Sequence, residues 1–285
     1  MSRLRSLLSS TLSQTTAWFV VALLCLCAPV VSAQPRYASN GSDGSLVPNG
    51  GTTVTINTSA GTIIFFDGSW RTVYGRLASN GSGTSIYLFD FTTIYIASTV
   101  AVSVSGSRPL GLLATTGVTI NANISLNGGN GAVNPGSSGG AGGGAGALGG
   151  YAGGPGGRVE GFLFYTVYSG SRGWAPSGTV GYGGSSDPYY GGGGGAYGGN
   201  GGPHGSQAPG GYAYGNTTMS TLYGGSGGAG GGGAASLSCT FFGFGFGGSG
   251  GGGGGGAIYI STISGTLTIN GTISANGGNG GTGGG

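Results

Sequence analysis

Between Thr52 and Leu126 the chain is a succession of short apolar runs cut by Gly, Asn, Ser, Asp or Pro. The runs are TTVTIN (52–57), GTIIFF (61–66), TSIYLF (84–89), TIYIA (93–97), VAVSV (100–104), LGLLA (110–114), GVTIN (117–121) and NISL (123–126). They recur about every 8–10 residues, and several alternate apolar with polar positions, the spacing of strands and turns. Val, Ile, Thr, Tyr and Phe suit a pleated, half-buried surface, so each run is predicted to be a strand. After residue 33 no useful length of chain carries the 3.6-residue apolar period of a helix.

Short strands at even spacing suit either a sandwich or a β-solenoid. A repeat favours the solenoid. TINANISLNGGNG (119–131) matches TINGTISANGGNG (268–280) at ten of thirteen positions, and TVTIN (53–57) is a fainter echo. The Ile and Thr positions align as well as the Gly and Asn positions, so composition alone does not explain the match. In a solenoid the inward Ile residues stack from rung to rung, and Asn can ladder at the bends. The expected fold is therefore all-β: parallel solenoid rungs of the right-handed β-helix type over 52–127, with a returning rung at 257–285. The chain stops on NGGNGGTGGG, where the first copy of the repeat opens a long glycine block, so the returning unit is expected to be truncated.

That glycine block spans 128–256 and holds tracts such as GGAGGGAGALGGYAGGPGG (139–157). Glycine loses more conformational freedom on folding than any other residue, so order here requires dense hydrogen bonding. Packed extended helices of the polyproline II type, with three residues per turn, are one solution. The block lacks the strict G-X-Y register of collagen. Its expected state is either a polyglycine-II-like packing or disorder, with order favoured at the two ends that run into strands.

Composition narrows the function. Glycine supplies 76 of 285 residues, close to four times the usual ~7%, and charged residues only 5%. The N-terminus reads as a secretory signal peptide over 1–33: Arg3 and Arg5, an apolar run from Ala17 to Val31, and Val31-Ser32-Ala33 as a small-residue cleavage site. The apolar run is shorter than the ~20 residues of a membrane span, so no transmembrane segment is expected in the mature chain. Residues 34–51 are polar and expected to be a flexible leading segment. The mature chain carries six Arg and five acids, a net charge of +1, which offers no field for nucleic acid. Cys239 is its one cysteine, so no internal disulfide framework is possible.

A search for chemistry finds little. His204 stands alone in GGPHGSQ without the neighbours of a zinc site or a triad. Asp67 and Asp90 are the acids of the strand-rich part, with Arg71, Arg76 and Arg108 within reach across rungs; the favoured reading is a turn aspartate and a solvent-facing strand aspartate. A glycosidase would need such carboxylates clustered. No catalytic residue, metal site or cofactor is expected, and the chain is read as a non-enzyme. The positive signals are aromatic. Tyr151, Trp174, Tyr182, Tyr189, Tyr190, Tyr197, Tyr212, Tyr214 and Tyr223 punctuate the glycine block as candidate surface contacts, since a ring with a polar tip suits sugar stacking and adhesion. Alternatively the rings pack the seams between glycine segments. Phe241, Phe242, Phe244 and Phe246 form a compact apolar knot, a candidate assembly patch.

The pairing of TINGTISANGGNGG with GGGGGGGAIYI, and the strand block at 89–129, resemble glycine-rich secreted and surface proteins of bacteria, over roughly residues 84–285. That resemblance implies a parallel β-solenoid with a glycine-rich insert and an adhesin, surface or matrix role. The block is also similar to stacked polyglycine tips of phage tail adhesins and, more loosely, to silks and wall proteins. Taken together, the expectation is a secreted, extracellular or cell-surface structural or adhesive protein whose partners are glycans, cell surfaces or further copies of itself. The alternatives are a β-helix carbohydrate-active enzyme and a silk-like matrix polymer.

Overall fold

The computed structural model describes residues 36–81, 84–133, 140–160, 166–175, 192, 195, 210–212, 221–236 and 244–281. The chain divides into Met1–Arg36, of which only Arg36 is described, and the unit Tyr37–Gly285 that concerns us. Among the described residues every regular element is a strand. They are β1 (Ser45–Leu46), β2 (Thr53–Asn57), β3 (Thr62–Phe66), β4 (Trp70–Tyr74), β5 (Arg76–Gly81), β6 (Thr84–Ile96), β7 (Ala101–Ser105), β8 (Leu110–Ile120) and β9 (Ile124–Ser125). Beyond them come β10 (Val159–Glu160), β11 (Thr166–Val167), β12 (Ala234–Ser236), β13 (Phe244–Phe246), β14 (Ile258–Thr262), β15 (Leu267–Ile269) and β16 (Ile273–Ser274).

Parallel pairing runs through the unit. One sheet has the order β1-β6-β8-β14, with β15 also on β8. Along it Ser45 faces Thr93, Thr93 faces Gly117, and Val118 faces Leu267. A second series joins β2 to β7 and β9 to β16, all parallel. The internal repeat is the pairing register: Thr119 lies on Thr268, Ile120 on Ile269, Ile124 on Ile273 and Ser125 on Ser274. Asparagine side chains lock that register. Asn123 Oδ1 accepts from Thr272 N, and Asn127 and Asn130 accept from Asn276 N and Asn279 N at 2.8–2.9 Å, each across 149 residues.

Antiparallel pieces accompany this stack. β2, β3 and β4 form a meander, and β5 folds back on β6. Neither β4 nor β5 stood out in the sequence: RLASNG is largely polar, and WRTVY is a short run that buries only Val73. Two pairs of expected runs also fuse. TSIYLF and TIYIA are one thirteen-residue strand, and LGLLA and GVTIN are one eleven-residue strand. The fusion is possible because Asp90, the polar residue at the first break, is itself buried. The slack at the join appears as a register shift between Phe91 and Thr93.

The core lies between the two parallel series. Val54 and Ile56 point inward from β2, while Thr53 and Thr55 point out. Phe89, Phe91, Ile94 and Ile96 of β6 meet Leu110, Leu112, Val118 and Ile120 of β8, all essentially inaccessible. Each such side chain contributes about 1.5–3 kcal/mol through removal from water. A smaller cluster, Ile86, Leu88 and Leu113, packs with Tyr37, Ala78, Leu222 and Tyr259. The leading segment joins the stack: Leu46 of β1 is fully buried in the main core.

Candidate functional site

The described part of the glycine block is held by backbone hydrogen bonds at three-residue intervals. Residues 248–256 (GSGGGGGGG) run through its centre. Gly248, Gly251 and Gly254 donate to Gly157, Gly154 and Tyr151, and accept from Ala141, Gly144 and Ala147. Gly250 and Gly253 donate to Ala132 and Gly129 and accept from Gly281 and Gly278. Ser249, Gly252 and Gly255 accept from Gly231, Gly228 and Gly225. Five extended segments (126–132, 141–148, 149–157, 224–233 and 275–281) therefore surround the central one. They also bond to each other, as in Gly153 to Gly144, Gly156 to Ala141 and Gly154 to Gly228, each at 2.8 Å.

The sequence folds this way because only glycine fits. A Cβ at Gly252 would lie 1.9 Å from the Gly278 carbonyl oxygen, and one at Gly254 would lie 1.8 Å from that of Gly225. From Gly250 to Gly255 the approach occurs on successive sides of the segment as it turns, so none of these six positions admits a side chain. Alanine appears where a segment has an outward side, as at Ala141 and Ala145. The bundle joins the strand core through Leu148 and Leu126, each 1% exposed. Gly256 N donates to Leu126 O, and Ala257 N to Leu148 O.

Of the aromatic residues expected as surface contacts, the structure separates four. Trp174 (65%) and Tyr212 (66%) are exposed. Trp174 is held by its own backbone, which donates to Ala152 and accepts from Gly227. Tyr151 and Tyr223 are half-buried and near each other; burial, then the neighbouring Tyr223, pushes the Tyr151 hydroxyl above its ordinary pKa. Tyr182, Tyr189, Tyr190, Tyr197 and Tyr214 lie outside the described residues, as do Phe241 and Phe242. Phe244 and Phe246 stand on β13, paired with Ser236 and Ala234 of β12.

A polar cluster at the start of the stack was only partly foreseen. Asp90, expected to face solvent, is 3% exposed instead. Its carboxylate accepts from Arg76 Nε at 2.6 Å and Nη2 at 3.3 Å. The correction follows from Arg76, the first residue of β5: it pairs with Leu88, two positions before Asp90, and lays its guanidinium on the carboxylate, while Asp43 bonds the Asp90 backbone. Asp67 pairs with Arg71 at 3.0 Å, and Arg71 also donates to the carbonyls of Asp43 and Ser45. Asp43 accepts the Asp90 N–H at 2.6 Å. Burial, and secondarily the Asp90 charge, raises the Asp43 pKa above the usual carboxylate range. Asp67 and Asp90 are thus engaged by arginines that tie β1, β4, β5 and β6 together. Among the described residues no three His, Cys, Asp or Glu side chains group as a metal site, and no helix is long and apolar enough to cross a membrane.

Comparison with protein-family models finds no matching family, and comparison with curated proteins and with solved structures finds no significant match.

Proposed function

We propose that this chain is a secreted or cell-surface structural and adhesive protein, in which β-solenoid rungs carry a polyglycine-II-like bundle as a rigid mount for exposed aromatic rings. The three-residue hydrogen-bond network around 248–256 carries the reading. Three residues per turn with bonds to neighbours on every side is how glycine backbones pack as extended helices. Such a body is stiff, almost uncharged and made of backbone, which suits a scaffold better than a reaction site. Parallel stacking of the repeat, with its asparagine ladder, supports rungs of one solenoid. The N-terminal signal supports export. Trp174 and Tyr212, exposed beside the bundle, suit sugar rings or surfaces.

The test is binding of the chain from Gln34 onward to a glycan array and to cell and abiotic surfaces. Binding is expected, and the double variant Trp174→Ala/Tyr212→Ala should weaken it by about tenfold or more, as loss of an aromatic anchor does. Silence on every glycan and surface, from a folded sample, removes the adhesive part of the proposal.

A further inference from the structure

β2, β3, β4 and β7 form a four-stranded sheet with two unlike faces. Val54, Ile56, Ile63, Phe65 and Val73 point into the main core. Alternation along each strand turns three residues per strand the other way. These outward residues are one Trp, one Tyr, one Phe, one Ile, one Ala, one Asn, four Thr and two Ser, and none is charged. They line up in rows: Thr72 lies opposite Ile64, Ile64 opposite Thr55, and Thr55 opposite Ser103.

Two rings stand on this plate. Trp70 is 70% and Tyr74 74% exposed, more than either Trp174 or Tyr212. The Trp70 indole is braced: Phe66, directly opposite, meets it edge-on with centroids 5.5 Å apart at 66°. Large rings held in water on a rigid sheet mark a contact surface. Three features choose its occupant. Without charge, the face has nothing to attract an ionic partner. Its middle is rich in hydroxyls, whereas serine is depleted where proteins meet. It is also small. Three strand spacings of about 4.8 Å by four residue steps of about 3.3 Å enclose roughly 200 Å², against about 800 Å² per partner in a stable protein interface. A ligand that stacks on rings, exchanges hydrogen bonds with hydroxyls and carries no charge is an uncharged sugar chain.

We propose that the outer face of the β4-β3-β2-β7 sheet is a binding plate for a neutral polysaccharide, whose chain lies along β4 with sugar rings stacked on Trp70 and Tyr74 and hydroxyls bonded to Thr72 and Thr62. Trp70 and Tyr74 are four residues apart on one strand, about 13 Å. A single sugar cannot reach both, so recognition requires an oligosaccharide. The assignment extends the adhesive reading above to a second surface and shares no residue with it.

The experiment uses the chain from Gln34 with Trp174→Ala and Tyr212→Ala. Trp70 is then its one tryptophan, so indole fluorescence reports on this face alone. The titrants are cellohexaose, laminarihexaose and chitohexaose, with glucose and polygalacturonate as controls. At least one neutral hexaose is expected to shift the Trp70 emission saturably. Glucose should bind about tenfold or more weakly, since it engages one ring and not two. A tenfold rise in salt should leave the hexaose affinity unchanged, because no charge is involved. Tyr74→Ala should weaken the hexaose by about tenfold, and Trp70→Ala, read by calorimetry, should do the same. Amide protection at Leu112 and Ile120 in each variant shows that the fold is kept. A Trp70 emission unmoved by all three hexaoses overturns the proposal. So does glucose binding as tight as the hexaose, a salt-sensitive preference for polygalacturonate, or full affinity in folded Tyr74→Ala and Trp70→Ala. Oligosaccharide binding here, with wild-type adhesion untouched by Trp174→Ala/Tyr212→Ala, would keep this plate and remove the aromatic mount on the bundle. The reverse pattern would keep the mount and remove the plate.

Discussion

At Gly254 a single methyl group has nowhere to go. The Cβ would lie 1.8 Å from the Gly225 carbonyl oxygen, backbone against backbone, and no rotamer relieves it. At Gly142 a Cβ meets nothing within 4 Å. The two sites share the same local sequence texture, so composition cannot rank them. Gly254→Ala is expected to cost about 3 kcal/mol, at the upper end of overpacking. Gly142→Ala should be neutral or stabilising by up to about 1 kcal/mol, because it restricts only the unfolded chain. Urea midpoints of the two variants check both figures, and similar midpoints would contradict the packing described. The same scale governs the buried acid. Arg76→Ala leaves the Asp90 carboxylate buried without its cation; with Arg76 half-exposed, a loss of about 1–3 kcal/mol is expected by thermal or urea unfolding. Asp43 gives a pH signature of its own. Its folded pKa is raised, so folding takes up a proton between the ordinary carboxylate pKa and the raised one. Stability conferred on the protonated form is lost as pH rises through that window. Asp43→Asn keeps an oxygen to accept the Asp90 N–H and should flatten this slope, read from stability measured at stepped pH.

Among the elements, Leu148 joins two kinds of structure. It sits in the strand core at 1% exposure, yet its backbone belongs to the glycine bundle, with a positive φ of 30° that leads into Gly149. Leu148→Ala should cost about 2–4 kcal/mol, the usual result of opening a core cavity. It should also loosen Gly256 and Ala257, whose amides are held at Leu126 and Leu148. Exchange rates at those two amides measure the second effect. Much at this scale was legible in the sequence. Strand identity was legible because β-branched alternation reports a half-buried surface. The repeat at 119–131 and 268–280 was legible as a register because stacked Ile and Asn need identical neighbours. β4 and β5 were not legible: WRTVY and RLASNG are held by antiparallel partners and arginine contacts, which leave no apolar period. The burial of Asp90 was hidden for the same reason, since Arg76 opens a strand that could not be read. Within the glycine block, the order of the segments was invisible. Their neighbours are chosen by backbone carbonyls, and every residue offers the same one.

For the whole unit from Tyr37 to Gly285, the two kinds of structure share their segments. Chain 126–132 leaves β9 and becomes one neighbour of 248–256; chain 275–281 leaves β16 and becomes another. The central segment itself runs straight into β14 through Gly256 and Ala257. Strand stacking therefore sets the positions at which three of the glycine segments start. The bundle in turn holds the strands at 258–274, which pair with other strands along one edge. Neither part has an independent way to satisfy its backbone at the junction, and an unpaired buried amide or carbonyl is costly. Strands and bundle are thus expected to unfold in one transition. Tyrosine fluorescence follows the body as a whole. Amide exchange at Gly251 and Gly253 follows the bundle, and exchange at Leu112 and Ile120 follows the strands. In increasing urea, coincident midpoints for all four amides are the expected result, the usual sign of a two-state body. Gly254→Ala should then lower the strand midpoints as much as the glycine midpoints, although it touches no strand. Early loss of Gly251 and Gly253 protection, with Leu112 and Ile120 unaffected, would show that the strands stand alone and that the glycine bundle is only carried by them.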